Sequence, residues 1–151
     1  MSKGNDAELN ILLADDDPDD RMFFSDAISA VGQKANLTMV KDGSKLMDHL
    51  AAPGIALPDI LFLDLNMPFK NGFQCLSEIR CDSRLKDIFV IIYSTTSNPK
   101  EVDETFAKGA NLFIHKPNTF TELKRMLAKV FELDLTQYTP PEKAAFVLGT
   151  Y

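Results

Sequence analysis

Five of the six residues 15–20 are aspartates, Pro18 being the exception, and they follow the apolar run 9–14. A further acid, Asp64, follows Ile60-Leu61-Phe62-Leu63; Ser94-Thr95 follows the apolar run 88–93; Lys116, with His115 before it, follows Asn111-Leu112-Phe113-Ile114. Brought into one crevice, the carboxylates of Asp15, Asp16 and Asp64 repel one another, and without a counter-ion at least one of their pKa values rises. A hard divalent cation resolves that conflict. Mg²⁺ takes one or two protein carboxylates and keeps waters or phosphate oxygens in its other positions, so such a crevice suits an incomplete Mg²⁺ shell that a phosphoryl group completes. Lys116 would neutralise phosphoryl charge and Ser94 would donate to a phosphoryl oxygen, which is the positioning and electrostatics that phosphoryl transfer needs. Asp64 can itself be the nucleophile, giving an aspartyl phosphate.

These side chains meet only if the elements carrying them end on one edge. Residues 9–14 read as a buried strand. Pro18 starts a helix with Asp17 as N-cap, its apolar residues Phe23, Phe24, Ala27, Ile28 and Val31 at helical spacing, and Gly32 stops it. Residues 36–40 form a second strand; Asp42-Gly43 opens a helix carrying Leu46, Met47 and Leu50, which Pro53-Gly54 ends. A third strand, 59–64, leads through Asn71-Gly72 into a helix with Phe73, Leu76 and Ile79. A fourth, 88–93, precedes a helix started by Asn98-Pro99 and closed by Gly109; a fifth, 111–115, precedes Thr119-x-x-Glu122, which has the form of a capping box. Five strands alternating with five helices predict an α/β fold: a flavodoxin-like (βα)5 doubly wound parallel sheet, strand order 2-1-3-4-5. Ligands of such sheets bind outside the carboxyl ends of the strands, where Asp15, Asp16, Asp64, Ser94 and Lys116 all fall.

The 151 residues suit one domain, with 45% apolar and 25% charged residues in the soluble globular range. A net charge of −6 argues against a protein whose main work is gripping nucleic acid. No apolar run approaches the roughly 20 residues of a membrane span, and the first residues lack the apolar stretch of an export signal. A cytoplasmic protein is therefore expected, with Cys75 and Cys81 reduced and on different faces of one helix. No CxxC or His-rich tract suggests zinc.

The stretches Ile11-Leu12-Leu13-Ala14-Asp15-Asp16, Leu63-Asp64-Leu65-Asn66-Met67-Pro68 with Gly72, Tyr93-Ser94-Thr95 and His115-Lys116-Pro117 together resemble the receiver domain of bacterial two-component response regulators. The resemblance is to stand-alone, single-domain members, similar to chemotaxis-type and phytochrome-associated regulators, and divides the chain into an N-terminal tail 1–8, a receiver domain 9–132 and a C-terminal extension 133–151. It implies that Asp64 is the phosphoacceptor in phosphorelay signal transduction. Asp16 and Asp64 would bind Mg²⁺ (or Mn²⁺), with Asp15 helping through a water and Asn66 through its backbone carbonyl. Ser94 and Lys116 would contact the phosphoryl group, and Phe113 would be the switch aromatic, moving inward on phosphorylation. Asn66 and Thr96 occupy the positions that tune dephosphorylation, and the Lys116–Pro117 peptide should be cis. The implied partners are a sensor histidine kinase or phosphotransfer protein and a downstream protein, with no direct DNA or membrane binding. Such a protein is not an enzyme in the usual sense; it phosphorylates itself from a donor, and dephosphorylates, with Mg²⁺.

Two other readings compete. A haloacid-dehalogenase-type phosphohydrolase also forms an aspartyl phosphate, but its Asp-x-Asp-x-Thr follows the first strand, whereas Asn66 stands two residues after Asp64. A flavodoxin-like small-molecule binder would need a phosphate-cradling first loop, where this chain has acids that repel phosphate. Asp17, Asp19 and Asp20 read as helix-start acids meeting the macrodipole. The extension, with Leu133, Leu135, Tyr138, Phe146, Val147, Leu148 and Tyr151, is too apolar for a solvated tail. It is expected either to support a homodimer through the face of helix 4, strand 5 and helix 5, or to fold back on its own chain.

Overall fold

The computed structural model describes residues 8–135 and 143–148. In chain order the elements are β1 (Leu9–Ala14), α1 (Pro18–Val31), β2 (Ala35–Val40), α2 (Gly43–Ala51), β3 (Ile60–Leu63), α3 (Gly72–Cys81), β4 (Phe89–Ser94), α4 (Pro99–Ala107), β5 (Leu112–His115), α5 (Phe120–Phe131), α6 (Lys143–Phe146) and β6 (Val147–Leu148). The strands lie in the order β2-β1-β3-β4-β5-β6 and every pair is parallel. The flavodoxin-like (βα)5 order 2-1-3-4-5 is therefore present, with a sixth strand added at the β5 edge.

Alternation along the strands divides the core into two layers. Leu9, Ile11 and Leu13 face α1 and α5, where they meet Phe24, Ile28, Leu123, Met126 and Leu127. Leu12 and Ala14 face the other way, toward Leu46 and Leu50 of α2 and Cys75, Leu76 and Ile79 of α3. β3 and β4 are buried along their whole length, as strands covered on both sides must be. Cys75 is buried and Cys81 exposed, both as free thiols.

The helix starts are built from side chains that satisfy otherwise orphaned N–H groups. Asp17 accepts from the Asp19 and Asp20 N–H groups with Pro18 in the first turn, and Gly32 ends α1 in the left-handed conformation. Asn71 and Gln74 form a reciprocal capping box at α3. At Thr119 only half of the predicted box forms: the hydroxyl accepts from the Glu122 N–H, while the Glu122 carboxylate turns to Arg125.

At the amino ends of β4 and β5 the guanidinium of Arg80 is clamped among oxygens. Nε donates to Gly109 O, Nη1 to Lys86 O and Ile88 O, each at 2.8 Å, and Nη2 donates to Asn111 Oδ1 at 2.9 Å. This ties the last turn of α3 to the strand starts.

The described part of the extension folds against its own chain. Val147 and Leu148 pair with Phe113 and Ile114, and Phe146 is wholly buried, its ring edge-on to Phe106 at 5.1 Å and to Phe113 at 6.2 Å. Tyr138, Pro140-Pro141 and Tyr151, also assigned to the extension, lie outside the described residues, as does the tail 1–7. Among the described residues no helix is long and apolar enough to cross a membrane.

Candidate functional site

β1, β3, β4 and β5 run parallel and in register, so their carboxyl ends deliver Asp15, Asp64, Ser94 and Lys116 to one edge. The register pairs Ala14 with Leu63 and Ser94 with His115, which fixes the residues immediately beyond. The backbone repeats the alignment: Asp64 N–H donates to Ala14 O at 3.0 Å and Lys116 N–H to Ser94 O at 2.8 Å. Gly72, opening α3, lies against this edge. A Cβ on it would stand 2.3 Å from Asp64 O, so any other residue would push α3 off the acceptor loop. In that loop Phe69 adopts a positive φ of 68° with its ring 87% exposed, a backbone conformation that costs a bulky residue on the order of 1–3 kcal/mol.

Asp15, Asp16 and Asp64 each offer a carboxylate oxygen, and the three atoms lie within 4.8 Å of one another. Asp15 and Asp64 are buried and Asp16 is exposed. An all-oxygen cluster with one open side is the donor set that a hard divalent cation prefers. The Lys116 ammonium lies 2.7 Å from Asp15 Oδ2, 2.9 Å from Asp20 Oδ2 and 3.2 Å from Asp64 Oδ2. It also sits 5.3 Å from the centroid of the Tyr93 ring.

The electrostatics follow from burial. Loss of solvent pushes the Asp64 carboxyl up to about 6, against the opposing pull of Lys116 and with a further push from Asp15. Asp15 is also raised, again by burial first, with the Lys116 and Asp17 hydrogen bonds opposing. Burial alone would lower Lys116, but the hydrogen bonds to Asp15 and Asp20 and the Asp64 charge outweigh it and hold the ammonium above its ordinary value. The site therefore keeps a firm cation beside a carboxylate that is costly to ionise.

The structure brings Asp15, Asp16, Asp64 and Lys116 together as the sequence predicts. Ser94 is fully buried at the end of β4, its Oγ accepting from the Thr96 N–H at 3.2 Å. The Thr96 hydroxyl in turn donates to Glu101 at 2.6 Å. The Asn66 N–H points at Asp64 Oδ1 at 3.4 Å. Two expectations change. No peptide among the described residues is cis, so Lys116–Pro117 is trans. Trans is the lower isomer of an X–Pro bond by about 0.5–1 kcal/mol, and with it the ammonium already reaches three carboxylates. Phe113, expected to move inward on phosphorylation, is already 1% exposed, its ring edge-on to that of Phe146.

Asp20 is the residue that sequence reasoning missed. It reads as a helix-start acid, yet it holds Lys116, which lies 96 residues away. Its place in the first turn of α1, just after the acids that end β1, puts it at the same sheet edge as Asp15, but residue type alone does not distinguish it from Asp19.

Residues 11–128 match the response regulator receiver domain family. The chain is 26% identical over 145 residues to the response regulator Rcp1 of Synechocystis, covering 93% of this chain and 99% of that protein. It is 30% identical over 122 residues to the chemotaxis protein CheY1 of Helicobacter pylori, covering 81% and 96%. Among solved structures it is similar to the phosphorylated cyanobacterial phytochrome response regulator RcpA, at 28% identity and a TM-score of 0.79 over 89% of this chain and 99% of that one. The Mn²⁺-bound form of Rcp1 is similar at 26% identity and a TM-score of 0.75, over 88% and 99%. With its family match spanning most of the fold and its acids, hydroxyl and lysine gathered at one sheet edge, the chain belongs to the response regulator receiver domain family.

Proposed function

We propose that this protein is a phosphoryl-accepting switch in which Asp64 takes the phosphoryl group of a histidine kinase or phosphotransfer protein. The observation that carries the reading is the single cluster of Asp15, Asp16 and Asp64 with Lys116 Nζ 3.2 Å from Asp64 Oδ2. An Asp64 oxygen attacks phosphorus, the bond from phosphorus to the donor nitrogen breaks, and that nitrogen keeps the electron pair. Asp16, Asp64 and the Asn66 carbonyl would hold Mg²⁺, or Mn²⁺, with Asp15 acting through a water. The bound cation would supply the positive charge that lets a phosphoryl dianion approach these acids. Lys116 neutralises charge on the transferred group and Ser94, rotating its hydroxyl, donates to one of its oxygens. Output passes through the surface of α4, β5 and α5 to another protein, or the phosphoryl group is relayed onward. The described residues Phe146 to Leu148 of the extension lie on that surface, with Phe146 against the proposed switch residue Phe113.

Incubation with phosphoramidate and Mg²⁺ is expected to add one phosphoryl mass, and Asp64→Asn to abolish it. A variant that still gains the mass would overturn the assignment. On phosphorylation, amide shifts are expected from Ser94 through α4 and at Phe113; shifts confined to the acids would leave a relay without a switch.

A further inference from the structure

We propose that Asp20 is a positioning residue for Lys116, holding the ammonium while Asp64 is unmodified and releasing it when a phosphoryl group arrives. This rests on the reading of Asp64 as phosphoacceptor.

An ammonium has three N–H donors. Those of Lys116 face three carboxylates, Asp15, Asp20 and Asp64, so each donor has an acceptor before any phosphoryl oxygen appears. A phosphoryl group on Asp64 then needs a donor, and one of the existing contacts must yield. Asp15 is badly placed to do so. Its side chain is fully buried, its Oδ1 already accepts from the Asp17 N–H at 3.0 Å, and an unpaired buried carboxylate is expensive. The Asp64 contact is carried along with the modified residue. Asp20 differs from both: its side chain is 37% exposed, so on release it can turn to water at little cost. While bound it places a negative charge beside the position the phosphoryl group must occupy. Asp20 therefore biases the site toward the unmodified state twice, by occupying a donor and by repelling the incoming dianion.

Asp19 separates this role from a general helix-start effect. It stands in the same first turn of α1 and its N–H also meets Asp17, but Lys116 contacts Asp20 and not Asp19. Beryllofluoride, a phosphoryl mimic, can be titrated into the full chain at saturating Mg²⁺ and followed by ¹⁹F NMR. Asp20→Asn is expected to bind it about three- to fivefold more tightly, the scale of a partly exposed ion pair. Asp19→Asn should match wild type, and Asp20→Glu should return affinity to the wild-type side. Without metal or fluoride, the Lys116 ammonium resonance should move in Asp20→Asn and stay in Asp19→Asn. Equal or weaker beryllofluoride binding by Asp20→Asn would overturn the latch, and so would an equal gain in Asp19→Asn. If wild type binds no beryllofluoride, or Asp64→Asn still takes up a phosphoryl group, the phosphoacceptor reading falls and the latch with it.

Discussion

Among the described residues, Arg80 at the amino ends of the strands and Lys116 at their carboxyl ends are each held by several acceptors, and they are satisfied in opposite ways. Arg80 donates to three backbone carbonyls and to Asn111 Oδ1, which also accepts from the Val90 N–H. None of these acceptors titrates, and the carbonyls cannot swing away without unravelling the chain. Burial lowers the Arg80 pKa, with the Asp87 charge opposing, yet a guanidinium has ample margin to remain charged. Lys116 instead donates its hydrogen bonds to side-chain carboxylates, which can protonate, bind metal or rotate. One cation is a fixture of the fold; the other is held by groups that can exchange it. The difference lies in the acceptors, and it makes the carboxyl edge the reactive one.

Solution pH should expose that contrast. Lys116→Met in metal-free protein leaves Asp15 and Asp64 buried without their cation, an expected loss of about 3 kcal/mol at pH 8 by urea unfolding. The loss should shrink toward pH 5. Both carboxyls already stand above their ordinary value, removing the ammonium raises them further, and once protonated they no longer need it. Arg80→Met should cost about 2–3 kcal/mol, three backbone carbonyls losing their guanidinium donor while Asn111 Oδ1 keeps the Val90 N–H, with no pH dependence between 5 and 8. Equal pH profiles for the two variants would dissolve the distinction.

Asp64 gives a subtler signature. Its folded value of about 6 lies above the ordinary 3.8, so its contribution to stability is fully present below the unfolded value and is lost as pH rises through about 6. Metal-free wild type should lose about 2–3 kcal/mol across that window, and Asp64→Asn should flatten the decline. A wild-type profile that rises over the same window would overturn the account. The smallest effect is expected from Phe146→Ala. A buried Phe→Ala change ordinarily costs about 3–5 kcal/mol, but a short extension can undock instead, so a loss of about 1 kcal/mol is expected. Faster amide exchange along β5 should accompany it, with the pH signatures of both cations unchanged.

The reactive edge was legible in the sequence because its parts follow largely apolar segments. The runs before Asp15, Asp64, Ser94 and Lys116 are buried strands, and parallel strands carry their final residues to the same edge. Right-handed crossovers left few topologies, and the order 2-1-3-4-5 was expected as the commonest for five βα units. What escaped is what only proximity decides. Asp20 looks the same in sequence whether it faces solvent or the lysine that follows β5. The Arg80 acceptors are mostly backbone carbonyls, which leave no mark on residue type. β6 has two residues, too short to show a period, although the apolar residues around Phe146 did require a surface to cover. The trans peptide at Pro117 is likewise a matter of about 1 kcal/mol or less between isomers, below what residue type can signal.

The pairing of β6 with β5 bears on the order in which a growing chain completes its sheet. A nascent chain released through Phe131 already contains five strands, both core layers and every residue of the acidic edge. Until Val147 and Leu148 follow, Phe113 and Ile114 present unpaired backbone groups on an open edge strand, the kind of edge that invites pairing with another chain. At ribosomal elongation rates that interval is about one to three seconds, long compared with hairpin formation or collapse. Once Val147 and Leu148 pair with Phe113 and Ile114 that edge is covered, and the backbone groups through which two newly made copies would join are already taken.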